Sequence, residues 1–261
     1  MRPFRLIPAA CAIVLSLATV TSAQSAPPGE LSPLQAAVAC APPASSNGEP
    51  AHALHVIGTQ DTTARGLFGS SDLLIIDGGR SAGVQLDQEF FVRRETRFGM
   101  ASRPKSSRER RQDVRTVAWI RVVAVNDSNA VALVRRACGG IVASDYLEPF
   151  APPVVPAGAD RDEAPGEPDF SSLGRIVVGA EDRRTAGAGD FMLIDRGSAQ
   201  GVVPGARYAI YRDVSNFIAA GLPLAPVGEA VVISTGTDTA LTRITRSRDA
   251  VMSGDYVALR K

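Results

Sequence analysis

The chain has 261 residues, with 28 basic residues against 27 acidic ones, 24 glycines and only 5% aromatics. The near-neutral charge excludes a whole-protein bias toward nucleic acid or an anionic membrane. Many glycines and valines with few aromatics favour strands and tight turns over a helical bundle.

The first 23 residues read as a secretory signal peptide. Arg2 and Arg5 supply the charged start, Ile7 to Val20 an apolar stretch, and Thr21-Ser22-Ala23 the small residues before a cut after Ala23. The apolar run is shorter than the ~20 residues of a spanning helix. The expected location is therefore periplasmic or otherwise exported, and at most peripheral to a membrane. Cleavage would remove two arginines and bring the net charge near −1. Cys11 would leave with the signal. Cys40 and Cys138 would remain, and an oxidising compartment makes a Cys40–Cys138 disulfide the expectation.

Residues 24–51 read as a loose, Pro-rich lead-in with one short helix. Ser32 is its N-cap, Pro33 sits at the first helical position, Gln35 completes a capping box, and Pro42 stops it. Residues 52–150 form a first β module and residues 173–261 a second. Between them, residues 151–172 hold five prolines and five acidic residues. That composition predicts an extended, self-repelling linker.

The two modules repeat one pattern. Ile75–Arg94 aligns with Leu193–Arg212 at an offset of 118, without a gap. The identities are Ile76/Ile194, Asp77/Asp195, Gly79/Gly197, Gly83/Gly201, Val84/Val202 and Arg94/Arg212. Thr116–Leu147 aligns with Pro226–Val257 at an offset of 110, including Asp145-Tyr146 and Asp255-Tyr256. Upstream, Val56-Ile57-Gly58 is matched to Val177-Val178-Gly179, and Asp61 to Asp182. Leu73–Ile76 and Phe191–Ile194 read as short strands ended by Asp-x-Gly turns. Gly83 and Gly201 are expected at positive φ. Pro204-Gly205 predicts a type II turn, and Leu86-Asp87 in the first copy predicts a different one. The fold class that follows is all-β: two tandem small barrels or SH3-like rolls, closed to hide their edges.

The residues Ile194-Asp195-Arg196-Gly197, Gly201-Val202, Pro204-Gly205, Val227-Gly228-Glu229-Ala230 and Ser253-Gly254-Asp255-Tyr256 resemble bacterial envelope β-barrel modules. These include the C-terminal domain of the flagellar assembly protein T and the barrels that accompany LysM repeats in exported proteins. The barrels of the shape-determining protein MreC are a more distant likeness. The resemblance covers about 85 residues of the second module and, more weakly, the first. It implies a scaffold or assembly role and carries over no catalytic residue.

Candidate chemistry is read against the repeat. Gly79-Arg80-Ser81-Ala82-Gly83 matches the G-x-S-x-G nucleophile pattern, but the second copy has Ala199 where Ser81 stands. The flanks also read strand–turn–strand, where an elbow needs a helix. Asp77 and Asp195 resemble the paired aspartates of acid proteases, yet Gly78 and Arg196 follow them instead of Ser or Thr. Both read as turn aspartates bonding their own backbone. His52 and His55 lie on a strand, where i and i+3 face opposite ways, so no metal site and no cofactor are expected. Residues 93–115 carry nine basic and three acidic residues. This is either a solvated hairpin loop or an electrostatic dock built on Arg103, Lys105, Arg108, Arg110 and Arg111. The functional expectation is a non-catalytic exported scaffold or adaptor that binds an envelope protein or a cell-wall polymer, and no nucleic acid. The alternative is a periplasmic hydrolase using Asp77/Asp195 or Ser81.

Overall fold

The computed structural model describes residues 31–45, 49–97, 112–162, 164–179, 183–215 and 223–261. The five basic residues at 103, 105, 108, 110 and 111, and Asp182, lie outside the described residues. Helix α1 (Pro33–Ala39) has the expected start: Ser32 Oγ accepts from the Gln35 N–H, and the Gln35 side chain accepts from the Ser32 N–H. Two otherwise orphaned N–H groups are thereby satisfied.

Six strands follow: β1 (Val56–Thr59), β2 (Leu73–Ile76), β3 (Glu89–Arg97), β4 (Gln112–Val125), β5 (Ala130–Ala137) and β6 (Tyr146–Pro149). They form one antiparallel sheet in the order β1-β2-β5-β4-β3-β6. Its two end strands meet at the His55–Tyr146 bridge, where Val56 N–H donates to Asp145 O at 2.9 Å and Leu147 N–H to Leu54 O at 2.7 Å. The sheet therefore curls almost into a barrel.

The second copy closes fully. Strands β7 (Pro168–Gly179), β9 (Phe191–Ile194), β10 (Arg207–Arg212), β11 (Ala225–Thr235), β12 (Ala240–Ser247) and β14 (Tyr256–Arg260) form a barrel in the order β10-β11-β12-β9-β7-β14. Substituting each strand by its counterpart reproduces the order of the first sheet. A minor pair, β8 (Thr185–Ala186) with β13 (Val251–Met252), answers to the isolated Phe68–Ile141 bridge of the first copy. The chain is thus all-β, with small barrels and, among the described residues, one short α-helix.

Alternation decides what is inside. Leu74, Ile76, Val92, Ile120, Val122 and Val134 fill the first core. Their counterparts Met192, Ile194, Ile210, Ala230, Val232 and Ile244 fill the second. Each fully buried Ile or Leu contributes about 1.5–3 kcal/mol relative to exposure.

Two repeat assignments change. Val56 pairs with Ile76, and Ile176, not Val177, pairs with Ile194. The upstream offset is therefore 120, and Gly58 and Gly179 are not counterparts. A Cβ on Gly179 would meet Met192 Sδ at 2.7 Å, whereas Gly58 has open space around it. A similar dipeptide hid a one-residue slip, which in a strand swaps the two faces. The Leu86-Asp87 turn also does not differ from Pro204-Gly205. Asp87 takes φ 64° and Gly205 φ 89°, and their N–H groups donate to the counterparts Val122 O and Val232 O.

That turn belongs to a pattern. Among the described residues, the non-glycine residues at positive φ are Ser71, Asp87 and Ser144, and their counterparts in the second copy are Gly189, Gly205 and Gly254. The first barrel thus carries strain that the second relieves, since left-handed backbone costs an L-residue roughly 1–2 kcal/mol. Offsetting the extra freedom of glycine in the unfolded chain, Ser71→Gly and Ser144→Gly are each expected to stabilise by about 0.5–1 kcal/mol. Asp87→Gly should gain less, because Asp tolerates this region and pairs with Arg121 at 2.8 Å. Urea denaturation midpoints of the single variants test this, and lowered midpoints at both serines would contradict it.

The described parts of the lead-in and linker are not loose. Ala41, Ala44 and Ala159, with Leu34, Val38 and Val155 beside them, cover an outer apolar face of the second barrel formed by Val178, Leu193, Val231, Ile233 and Leu241. The predicted extended linker is instead docked through its carbonyls. Arg207 donates to Gly158 O and Arg161 O, Arg243 to Ala159 O, and Arg260 to Gly166 O. Asp160 and Asp162 stay exposed. The acidic composition was informative about the side chains, but the arginines of the barrel grip the backbone.

Candidate functional site

The residues singled out by the repeat are mostly engaged in holding the fold. Gly79 and Gly197 sit where a Cβ would lie 2.4 Å from Asn126 O and Thr237 O. These glycines let the 3₁₀ turns Arg80–Ala82 and Ser198–Gln200 press against the β4–β5 and β11–β12 hairpins. Gly83 and Gly201 end those turns at φ 80° and 77°. Ser81 lies on this turn, exposed, with its hydroxyl donating to Asp127 O at 2.7 Å.

Asp77 and Asp195 each serve the neighbouring strand rather than their own turn. Asp77 Oδ1 accepts from the His55 N–H at 2.6 Å, and Asp195 Oδ1 from the Arg175 N–H at 2.7 Å. The two carboxylates occupy equivalent places in different barrels, each clamping the strand that precedes it in its own sheet.

The duplicated Arg94/Arg212 and Asp145/Asp255 turn out to be partners, a link that sequence reading missed although all four were visible identities. Arg94 Nε and Nη2 grip both oxygens of Asp145 at 2.5 Å, and Arg94 Nη2 also donates to Gly140 O. Arg212 grips Asp255 the same way at 2.8 Å and donates to Ala250 O. Each carboxylate also accepts a main-chain N–H, from Val142 or Met252. Both aspartates are buried. Such bidentate, charge-assisted forks are strong and geometrically specific.

His55 is the one histidine in a charged cluster. Its Nε2 lies 2.7 Å from Glu49 and its Nδ1 3.1 Å from Asp77. The Glu49 hydrogen bond raises its pKa above the ordinary 6.5; burial pulls it down, and Asp77 adds to the rise. A raised folded pKa gives stability that is complete below about pH 6.5 and fades as pH rises through the folded value. His55→Gln should flatten the difference in denaturation midpoint between about pH 5.5 and about pH 8.5. An unchanged profile would remove His55 as its source. Among the described residues no group of three or more His, Cys, Asp or Glu side chains is placed to hold a metal.

Cys40 and Cys138 are joined, with their Cα atoms 5.2 Å apart. The bond anchors to the first barrel the same lead-in that covers the second.

Among the described residues there is a concave feature that the fold does not consume. An open cleft of about 600 Å³ lies at one end of the second barrel, lined by Arg212, Val214, Ala225, Pro226, Val227, Arg248, Asp249 and Met252. Its floor is apolar. Arg212 is neutralised by Asp255 and, at 3.4 Å, by Asp249. Arg248 is exposed and has no partner among the described residues. Nothing in the sequence singled out Arg248, because the duplication aligns it with Cys138.

Fold and sites together define a class: a duplicated small-barrel protein with a covalently anchored N-terminal segment. No protein-family model matches the chain, and no curated protein is significantly similar to it.

Proposed function

We propose that the protein is a non-catalytic, exported scaffold or adaptor of the bacterial envelope that binds an envelope protein or a cell-wall polymer. The observation that carries this reading is the fate of the duplicated residues. Asp77, Asp195, Arg94, Arg212, Asp145 and Asp255 are all spent on holding strands and turns in place. What is left for function includes the cleft of the second barrel, among the described residues, and, in the sequence, the basic segment with Arg103, Lys105, Arg108, Arg110 and Arg111. The signal-like N-terminus and the disulfide pairing agree with an exported location. A hydrolase would instead need Ser81 released from Asp127 O, or the two turn aspartates brought to one place. A role in flagellar or wall assembly is the form of this reading that the module resemblance suggests.

In-cell crosslinking of the full chain, followed by identification of what is captured, tests the proposal. One dominant envelope protein or wall glycan is the expected result, and flagellar basal-body components would specify the machine. Absence of any enriched partner, or turnover of a peptide or glycan substrate lost in Ser81→Ala or Asp77→Asn, would overturn it.

A further inference from the structure

Because the two sheets correspond strand for strand in order and pairing, the occupied end of one indicates what the open end of the other is shaped to take. Arg212, Pro226, Val227, Arg248 and Met252 of the cleft are the counterparts of Arg94, Thr116, Val117, Cys138 and Val142. The local backbone agrees. Cys138 and Gly139 N–H both donate to Val117 O, at 2.9 and 3.1 Å, and Arg248 and Asp249 N–H both donate to Val227 O, at 2.7 and 3.4 Å.

In the first barrel this end is crossed by a stretch of chain. Cys40 is bonded to Cys138, Thr116 Oγ1 donates to Ala41 O at 3.4 Å, and the Glu49 N–H donates to the Glu95 carboxylate at 2.7 Å. No described segment is so held at the second barrel. There, Met252 is 41% exposed beside an apolar floor of Val214, Ala225, Pro226 and Val227. Where Cys138 makes a covalent tether, Arg248 offers an unspent positive charge. The cleft volume falls within the range of ordinary ligand sites, roughly 300–1,000 Å³.

We propose that this cleft receives an extended segment of a partner protein, in which small apolar residues flank one acidic side chain. The acidic group meets Arg248 as Cys40 meets Cys138. The flanking residues lie on Val227, Pro226 and Met252 as Ala41 lies beside Thr116. The inference rests on the adaptor reading and gives it a partner class and a surface.

The probe is a peptide of residues 36–45 of this chain carrying Cys40→Glu, titrated into the disulfide-intact full chain and followed by amide NMR. Shifts are expected to cluster at Val214, Val227, Arg248 and Met252. Arg248→Glu, a change at an exposed side chain, should weaken binding at least tenfold, and a Cys40→Gln peptide should bind more weakly than the glutamate one. In a second arm, the Arg248→Cys chain is mixed with the unsubstituted peptide activated at Cys40 as a mixed disulfide with thionitrobenzoate. The introduced thiolate should attack the peptide sulfur, form the peptide–protein disulfide and release thionitrobenzoate. Absence of shifts with millimolar peptide, shifts confined elsewhere, or full binding by Arg248→Glu would overturn the assignment. In-cell crosslinking separates the two levels. If Arg248→Glu captures the same envelope protein as the parent, or if only wall glycan is captured, the cleft assignment falls while the adaptor reading stands. If the parent captures nothing, the adaptor reading falls.

Discussion

Replacing Asp145 with alanine is expected to destabilise the first barrel by about 3–5 kcal/mol, enough to unfold it if its stability is at the low end of the usual range. The carboxylate is 1% exposed and takes both guanidinium bonds of Arg94 as well as the Val142 N–H. Its removal leaves a half-buried cation whose main remaining partner is Gly140 O. The counterpart change, Asp255→Ala, should cost less. Arg212 keeps Ala250 O and can lean on Asp249, which is 3.4 Å away and 70% exposed. The order Asp145→Ala worse than Asp255→Ala is therefore part of the expectation. Removing both partners, as in Arg94→Met with Asp145→Leu, should recover much of the loss, because no buried charge is then left alone. Urea denaturation of the single and double variants measures this, with equal m-values confirming that only stability has changed. A coupling below about 1 kcal/mol in the double-mutant cycle would mean that the fork is incidental.

The same pair shows what sequence could and could not reveal. Turn glycines and apolar alternation are local signals, so the repeat, the all-β class and the capped helix were legible. Leu73–Ile76 and Phe191–Ile194 even have the expected bounds. The Arg94–Asp145 link spans 51 positions, and only the closing strand brings the two together. Identities shared between the copies marked both residues without saying that they touch. The upstream register failed for a related reason. A Val-x-Gly likeness outweighed the pleat, and hydrogen-bond pairing, which no single strand encodes, decided it. The linker misled through its composition, because acidic side chains can face water while arginines from another strand hold the carbonyls behind them. The cleft was invisible to sequence because it arises where the second copy has Arg248 in place of a cysteine and where, among the described residues, no segment crosses as one does in the first copy.

Breaking the Cys40–Cys138 bond by Cys40→Ser should lower global stability by up to about 4–5 kcal/mol, the chain-entropy value for a closed loop of this length. The bond spans 98 positions. A second consequence distinguishes this disulfide from a simple loop closure. The lead-in that it pins to the first barrel is also the cover of the second: Ala41 and Ala44 pack on Leu193, Val231, Ile233 and Leu241, and Thr239 donates its hydroxyl to Ala44 O. Gly236 leaves room for that contact, since a Cβ there would meet Ala44 O at 2.5 Å. Freed at Cys40, the segment keeps its apolar and hydrogen-bond contacts but loses its crosslink to the first barrel, so its effective concentration over the second barrel falls. The outer face of β9, β11 and β12 should then open more often than the inner core. Amide exchange at Leu193, Val231 and Leu241 should accelerate more than at Leu74 or Ile120, and an apolar dye should bind the reduced protein but not the oxidised one. Gly236→Val, which obstructs the same seat from the barrel side, should reproduce the dye binding with the disulfide intact. If Cys40→Ser instead sped exchange only in the first barrel, the bond would be a local staple, and the cover would be held by its apolar contacts alone.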